Sequence, residues 1–493
     1  MNDSARVGRT PAVDEGKQSN LLISLAETAE LFHAPDGQTY ATIRLENHCE
    51  THAIHRKGFR QFLTREFYKA RGSAPGSQSM QDALGFLDAR ARFDGPEIST
   101  YLRIGESEGA VFVDLGDESW RVVRITAQGW EIRSNGGCKF RRAPAMRPLP
   151  TPIRGGQIRN LRPFLNVAAT SDFHLAVGAL FAAFNPRGPY PIVNYQGEQG
   201  SAKTTTARVC RELCDPSVIP VRTMPRDERD LHIAASNSWM LTFDNVSRVS
   251  PMMSDALCRL STGGGFATRQ LHTDQDEVLI DVTRPVALTG IEDLMERDDL
   301  RDRSVILTLP PISDRERRDE RTFWAAFHQQ RAHLLGALFD GVARAMRDLG
   351  KASLAELPRM ADLARWVTAG ETSFGWSPGT FLRAYREHGK VAARELLAGD
   401  RFAVAITENV QEFCGTSAQL LEILNGFVVR KDRGPDWPMN PRATSGRLRR
   451  LAPALKRDEY DVTFDGPRRI ISIKRTERET TVPTGGTVPP HGR

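Results

Sequence analysis

The sequence predicts an α/β fold whose core is a mostly parallel sheet, and three observations support this prediction. Apolar runs of strand length recur at residues 190–195, 239–243, 284–290 and 305–309. Stretches of helical character separate these runs. Two of the runs end in a polar residue, at Asp244 and Thr289. Strands that alternate with helices build parallel sheets and bind ligands at the carboxyl ends of the strands, so we expect a ligand-binding edge there.

The first run leads into a phosphate-binding loop. Residues 197–205 read GEQGSAKTT and match G-x-x-x-x-G-K-[ST] with one substitution, because Ala202 replaces the usual last glycine. The glycines allow backbone N–H groups to face a triphosphate, and the helix that follows points its positive end at the same anion. We predict that the whole loop binds nucleotide: Gly197, Glu198, Gln199, Gly200, Ser201, Ala202, Lys203, Thr204 and Thr205. An ordinary strand-to-helix turn is the alternative for this motif alone.

Further candidate site residues follow the later runs. Asp244 stands where a nucleoside triphosphatase places a carboxylate to hold Mg²⁺, although an Asp at the end of a strand is often only a turn residue. Thr289 stands where a group that senses the γ-phosphate would lie. Arg301 and Arg303 precede the fourth run, in the segment DLRDRS.

The segment from residue 197 to 311 resembles the ATPase core of superfamily 3 helicases, in the poxvirus- and phage-type primase-helicase branch carried by mobile elements. The matching stretches, in the order of the family, are GEQGSAKTT, PRDERDLHIAASNSWMLTFDN, LCRLSTGGGFATRQLHTD, RPVALTGIEDL and DRSVILTLPPI. They cover about a quarter of the chain. The resemblance implies an AAA+-like P-loop NTPase core that uses ATP and Mg²⁺. It also implies a homo-oligomeric ring, commonly a hexamer, that moves along single-stranded DNA or replication-fork DNA.

The resemblance also assigns roles to single positions. Lys203 and Thr204 would bind phosphate and Mg²⁺, and Asp244 would be the Walker B carboxylate. Thr289 departs from the family, which usually has Asn at the sensor position.

Arg303, and less closely Arg301, matches the arginine that reaches into the site of a neighbouring subunit. The alternative for both arginines is a solvated helix end. Asn245 is a second departure, because many such enzymes have Glu or Asp beside the Walker B Asp. An amide can orient water but cannot take its proton. Slow hydrolysis, or a base supplied by a residue such as Glu292, therefore remains open.

Two regions are predicted to contact DNA. Residues 261–270 place three glycines before Phe266 and Arg269, which suits a loop or hairpin that stacks on a base and pairs with a phosphate. A glycine-rich turn with a packed Phe is the alternative. From residue 430 onward, basic residues exceed acidic ones by about seven. A helix there carries Arg447, Arg449 and Arg450, and residues 460–464 and 469–473 form a predicted hairpin.

This C-terminal order of helix, helix and two-stranded wing is typical of a winged-helix domain, which is often found at this place in the helicase branch. A small α+β domain with a solvated basic face is the alternative. We predict a disordered segment at 1–21, an α+β accessory domain at 22–150, the ATPase core at 151–315 and a helical lid at 316–400. The winged-helix-like domain is predicted at 401–477, and a disordered tail at 478–493.

Composition agrees with a multidomain globular protein of 493 residues, net charge +6 and pI near 9.1. No window approaches the roughly 18 apolar residues of a membrane span, so we expect a cytoplasmic protein with no membrane partner. The six cysteines include no C-x-x-C pair, which argues against a zinc ribbon. In the N-terminal region Asp114 and Asp117 are the only close carboxylate candidates for a primase, and a turn explains them better. A primase would then be a separate protein.

These observations predict a DNA-dependent ATPase, most simply the helicase of a mobile-element or prophage replication module. Two alternatives remain open at this stage. One is a non-helicase switch ATPase in regulation or phage defence, which Asn245 would favour. The other is a DNA-binding factor whose assembly the nucleotide controls.

Overall fold

The computed structural model describes residues 15–134, 136–264, 266–269, 277–280, 282–291, 294–295, 297–354 and 357–476. The chain divides into two compact units, and the division falls between Ala384 and Tyr385. The predicted accessory, ATPase and helical segments lie within the first unit, except for the last residues of the helical segment. None of the helices in these described ranges combines the length and apolarity that crossing a membrane requires.

The N-terminal part of the first unit contains both helices and antiparallel sheets. Its helices are α1 (Glu15–Leu25), α2 (Lys57–Arg71) and α3 (Ser77–Phe93). One antiparallel sheet contains β1 (Glu30–His33), β2 (Thr39–Arg44) and β3 (Cys49–Ala53). The short strands β4 (Thr100–Tyr101) and β9 (Lys139–Phe140) pair in parallel, and a second antiparallel sheet contains β5 (Ile104–Ser107), β6 (Ala110–Asp114), β7 (Val122–Thr126) and β8 (Gly129–Arg133).

Buried polar contacts join this part to the rest of the first unit. The Arg103 side chain is fully buried, and its Nε lies 3.2 Å from Asp215 Oδ1. Trp130 donates from Nε1 to Asp340 Oδ1 at 2.8 Å. Separating a buried ion pair of this kind would leave each charge without its partner, which is energetically costly. The Arg103–Asp215 pair therefore stabilises the packing of the accessory region against the core.

Asp114 and Asp117, the carboxylate candidates of the N-terminal region, are both paired with arginine. Asp114 accepts hydrogen bonds from Arg142 Nε at 2.9 Å and Nη2 at 2.7 Å. Asp117 accepts from Arg121 Nε at 2.6 Å. These pairs agree with the structural role that the sequence favoured for both carboxylates.

The core sheet has four parallel strands in the order β11, β14, β10, β15, which confirms the predicted parallel α/β class. The strands are β10 (Ile192–Gln196), β11 (Leu241–Phe243), β14 (Val286–Gly290) and β15 (Ser304–Thr308). The helices around them are α4 (Thr170–Ala182), α5 (Lys203–Cys214), α6 (Glu228–Asn237), α7 (Pro251–Thr262) and α8 (Asp298–Arg301). A 3-10 helix, Ile158–Phe164, precedes α4. Between α7 and β14, the strands β12 (Phe266–Arg269) and β13 (Glu277–Ile280) pair antiparallel.

Apolar side chains of the core strands are buried against the surrounding helices. Leu241, Phe243, Val286 and Leu288 are buried with apolar residues of α6 and α7 in one cluster. Parallel strands that are covered on both faces read as continuous apolar runs, which is why the sequence identified all four. The carboxyl ends of β10, β11 and β14 meet at one edge, where the phosphate-binding loop begins.

Helices complete the first unit. They are α9 (Glu320–Asp348) and α10 (Ala361–Gly370), with 3-10 turns at Leu349–Lys351 and Glu371–Phe374. Asp319 caps α9 by accepting from the Thr322 N–H at 2.9 Å. The helix α11 (Thr380–Gly399) spans the division between the two units.

The second unit has the order helix, strand, helix, helix, strand, strand. Its elements after α11 are α12 (Arg401–Asn409), β16 (Glu412–Thr416), α13 (Ser417–Phe427), α14 (Pro441–Arg457), β17 (Tyr460–Asp465) and β18 (Ile470–Arg475). The sheet is antiparallel, in the order β16, β18, β17. Thr416 and Gln419 form the capping box that their spacing predicts. This arrangement has the two helices and the wing of the predicted pattern, and β16 is an additional strand that the sequence analysis did not identify.

Candidate nucleotide-binding site

The loop between β10 and α5 turns through backbone conformations that favour glycine. Gly197 has φ 145° and Gly200 has φ 84°. A Cβ atom on Gly197 would lie 2.5 Å from the Leu309 carbonyl oxygen, so no larger residue fits there. Ala202 is left-handed, with φ 56° and ψ 31°. The position that departs from the usual motif therefore keeps the conformation that a glycine would adopt, at a cost of roughly 1–2 kcal/mol.

Lys203 is the first residue of α5, and its ammonium group lies against the inner side of the loop. Nζ donates to the carbonyl oxygens of Gly197 at 2.8 Å and Glu198 at 2.7 Å, and lies 3.4 Å from Ser201 Oγ. Burial lowers the pKa of this lysine, and the nearby Asp244 carboxylate acts in the opposite direction. The charge is thus held by two carbonyl oxygens of the loop.

Three oxygen-bearing side chains meet beside the lysine. Thr204 Oγ1 donates to Asp244 Oδ1 at 2.7 Å, and Thr289 Oγ1 donates to the same oxygen at 2.5 Å. They come from the first turn of α5 and from the ends of β11 and β14, which are adjacent in the sheet. A hydroxyl and a carboxylate are the oxygen ligands that Mg²⁺ accepts from proteins. The residues present therefore fit a Mg²⁺ ion bound together with a nucleotide.

Thr289 links Asp244 to the following residue. Its hydroxyl accepts a hydrogen bond from the Asn245 N–H at 3.0 Å, and its carbonyl accepts one from the Val246 N–H at 2.8 Å. Asn245 is exposed and left-handed, with φ 52°. Thr289 thus positions both the Asp244 carboxylate and the turn that presents the Asn245 side chain.

Asn166 is a residue of this site that the sequence analysis missed. Its Nδ2 donates to the Ser201 carbonyl at 2.9 Å and to the Pro310 carbonyl at 2.7 Å. It therefore ties the phosphate-binding loop to the segment after β15. No local pattern marks an asparagine that precedes α4, because its partners are distant in the sequence.

A cleft of about 720 Å³ adjoins the loop. Its lining includes Leu165, Asn166, Ala202, Thr205, Pro310 and Phe323. Ligand pockets of small molecules have volumes of roughly 300–1,000 Å³, so the cleft is large enough for a nucleoside. Thr205, predicted from the motif, lines this cleft.

Arg301 and Arg303 lie near the amino ends of the parallel strands, whereas the loop lies at the carboxyl ends. The Arg303 carbonyl accepts from the N–H of Ile192, the first residue of β10, so Arg303 precedes the amino end of β15. At ~3.3 Å per residue, the strand separates it from the loop by about 15 Å. Arg303 Nη1 donates to the Asp299 carbonyl at 2.9 Å, and Arg301 Nε donates to the Met295 carbonyl at 3.1 Å. The structure does not bring either arginine to Lys203 of the same chain.

The predicted DNA-contact residues of the first unit lie on a strand pair. Phe266 is opposite Ile280 in the register of β12 and β13, and Arg269 is opposite Glu277. The side chains of these residues, and the alternative base Glu292, lie outside the described residues.

The three arginines predicted on α14 differ from one another. Arg447 Nη2 lies 2.8 Å from Asp400 Oδ2, and both side chains are largely buried. Arg449 is exposed, and its guanidinium carbon lies 4.4 Å from the centre of the Phe464 ring on β17. Arg450 is also exposed. The ion pair favours a packing role for Arg447 over the predicted phosphate contact, whereas Arg449 and Arg450 face solvent.

Comparison with family models gives two matches. Residues 158–388 match the model of the actinomycete integrative conjugative element replication protein. Residues 402–484 match the model of the C-terminal domain of the same replication protein, RepA. Together these matches span more than half of the sequence. A search of curated proteins found no match.

Two solved structures are similar to this chain at low sequence identity. The apo structure of the NrS-1 C-terminal region is 11% identical, with a TM-score of 0.39, and the match covers 95% of this chain and 100% of that one. A structure titled SCCmec type IV Cch, active helicase, is 13% identical, with a TM-score of 0.45, and the match covers 80% of this chain and 78% of that one.

Proposed function

We propose that this chain, which belongs to the replication-protein family of actinomycete integrative conjugative elements, hydrolyses ATP and acts as the helicase of the element's replication. The observation that supports this most is the convergence of Thr204, Asp244 and Thr289 beside Lys203. In an ordinary strand-to-helix turn there is no need for hydroxyls from two separate elements to donate to the same carboxylate oxygen. The proposed work on replicating DNA would take place in the cytoplasm.

In this proposal the loop from Gly197 to Thr205 binds the phosphates through its N–H groups, and Lys203 contacts the outer ones. Thr204 and Asp244 would hold Mg²⁺, which would neutralise charge on the β- and γ-phosphates. Thr289 keeps Asp244 oriented through the hydrogen bond at 2.5 Å. The cleft that Thr205 lines would receive the nucleoside.

Asn245 would position the attacking water, because its exposed side chain follows Asp244 on the same turn. Its amide cannot accept the proton, so hydrolysis is expected to be slow unless another group serves as base. Asn245 is also the observation that favours the second candidate function, a switch ATPase in which the bound nucleotide sets an assembly state. A DNA-binding factor in which the nucleotide controls only assembly is a variant of that candidate.

Arg303 would complete the site of a neighbouring subunit. Its position at the amino edge of the sheet is too far from Lys203 for a contact within one chain. Assembly into a ring, in the expected case a hexamer, would bring it to the γ-phosphate of the next subunit, with Arg301 as the alternative residue.

DNA would be contacted at two places. Phe266 and Arg269 on β12 would stack on bases and pair with phosphates of single-stranded or fork DNA. Arg449 and Arg450, on the exposed face of α14, would contact the phosphate backbone through the second unit. A separate primase would supply primers.

The test is steady-state ATP hydrolysis with and without single-stranded DNA. We expect DNA to stimulate hydrolysis, and Lys203→Ala to abolish it, because the variant loses the cation at the outer phosphates. Lys351→Ala, at an exposed lysine in the 3-10 turn after α9, is the matched control and should behave like wild type. Hydrolysis that ignores DNA would favour the switch ATPase, and activity retained in Lys203→Ala would refute the assignment of the loop.

Arg303→Ala separates shared sites from isolated ones. We expect this variant to bind ATP and to hydrolyse it poorly. Mixing it with Lys203→Ala should restore part of the activity, because some interfaces then combine an intact loop with an intact arginine. Absence of any recovery in mixtures that form rings would contradict the role of Arg303. Strand displacement is the measurement that follows DNA-stimulated hydrolysis.

A further inference from the structure

The segment that follows β15 crosses the phosphate-binding loop closely. The Leu309 N–H donates to the Gln196 carbonyl at 2.8 Å, and the Leu309 carbonyl oxygen is 2.5 Å from where a Cβ of Gly197 would lie. One residue later, the Pro310 carbonyl accepts from Asn166, which also binds Ser201. These contacts fix the path of the segment over the loop of its own chain.

The same segment carries an arginine to the tip of the loop. Arg317 Nη2 lies 3.5 Å from the position that a Cβ on Gly200 would occupy. Gly200 is one of the two loop glycines with positive φ, in the turn that is proposed to surround the phosphates. The guanidinium group is therefore already next to the proposed phosphate site, without any movement of the backbone.

The present partner of Arg317 would not prevent it from binding an anion. Its Nη1 lies 3.3 Å from Asp314 Oδ1, and the two side chains are 63% and 91% exposed. Exposed ion pairs between neighbours on the chain are weak, because water competes for both charges. A phosphate offers the planar fork of the guanidinium a stronger, bidentate partner.

We propose that Arg317 binds the outer phosphates of a nucleoside triphosphate that is held by the loop of its own subunit. The proposal rests on the proposed function, since it adds a residue to the same site. It differs from the role of Arg303, which lies at the far edge of the sheet and could act only from a neighbour. Each site would then combine Lys203 and Arg317 from one chain with Arg303 from the next.

The test is equilibrium binding of fluorescent ATP and ADP analogues to the full-length chain. We expect Arg317→Ala to weaken ATP binding roughly 10- to 150-fold, as the loss of a hydrogen bond to a charged group does, and to weaken ADP binding less. Arg317→Lys should recover part of the loss, since it keeps the charge. Arg315→Ala, at an exposed arginine of the same segment, is the matched control and should bind both nucleotides like wild type.

The ratio of ATP to ADP affinity separates phosphate binding from a general defect. Equal weakening of both nucleotides, or no weakening of either, would overturn the proposal. Adding excess Lys203→Ala chains, which carry an intact Arg317, should not restore the affinity of Arg317→Ala, and a restoration would place Arg317 in the site of a neighbour. If wild type binds ATP, the proposed function survives whatever Arg317→Ala does, whereas a wild type that binds no ATP would overturn both.

Discussion

Replacing Thr289 with valine removes one hydroxyl from the centre of the candidate site and leaves its volume almost unchanged. The side chain is 1% exposed, so no water can take the place of the lost group easily. Two hydrogen bonds disappear: the one that Thr289 donates to Asp244 Oδ1 at 2.5 Å and the one that it accepts from the Asn245 N–H at 3.0 Å. Thr289→Val thereby loosens the Asp244 carboxylate and the turn beside it.

The expected loss can be worked from these two contacts. A hydrogen bond to a charged group contributes roughly 1.5–3 kcal/mol, and one between neutral groups roughly 0.5–1.5 kcal/mol. If the charged one acts on the transition state, kcat/KM for ATP should fall roughly 10- to 150-fold. The Mg²⁺ concentration at half-maximal activity should rise as well, because only Thr204 then orients the Asp244 carboxylate.

The assay is ATP hydrolysis over a Mg²⁺ titration, with Thr289→Ser as the matched control. Serine keeps the hydroxyl and should retain most of the activity. Thermal unfolding of both variants checks that the sheet is intact. A Thr289→Val protein that folds normally and hydrolyses ATP within about twofold of wild type would refute the reasoning.

Three further predictions concern other parts of the chain. Ala202→Gly should preserve nucleotide binding, whereas Ala202→Val should abolish it, because a β-branched residue is strained at φ 56°. The measurement is a titration with labelled ATP. A valine variant that binds ATP normally would contradict the loop conformation. Hydrogen bonds from His52 and His48 lower the pKa of Glu50 to about 2 from an ordinary 4.5. Glu50 therefore stabilises the fold above pH 4.5, and this contribution is lost as the pH falls toward 2; for a half-buried group we expect on the order of 1–2 kcal/mol, absent in Glu50→Gln when unfolding is followed against pH. Arg450→Ala should lower the salt dependence of DNA binding by about one counterion and leave the stability of the second unit unchanged. Arg447→Ala should chiefly destabilise the second unit, because it removes the ion-pair partner of Asp400. The reverse pattern would reassign both residues.

Much of the fold could be predicted because its signals are local. The four apolar runs lie at β10, β11, β14 and β15, since strands covered on both faces are apolar along their whole length. The capping box of Thr416 and Gln419 is a local signal of the same kind, because both partners lie within one helical turn. The strands β1, β2 and β3 and the strand β16 were missed, since short strands of mixed polarity have no distinctive period.

The roles of individual charged residues were harder to predict. Arg447, Arg449 and Arg450 look alike in the sequence, yet Arg447 pairs with Asp400 and the others face solvent. No local sequence pattern marks Arg317, although its guanidinium lies beside Gly200. A charge run reports only that a segment is solvated or basic, and the partner of each charge depends on what another segment brings to it.

The sequence by itself determined the class of the core sheet and the loop that would bind phosphate, because strand burial and a glycine-containing turn are encoded by neighbouring residues. Only the tertiary structure decided that the hydroxyls of Thr204 and Thr289 both donate to one carboxylate oxygen of Asp244. The same is true of Asn166, which joins the loop to the segment after β15. These contacts join residues that are 35 to 144 positions apart in the chain. Such a convergence is set by the order of the strands in the sheet, which local periodicity does not contain.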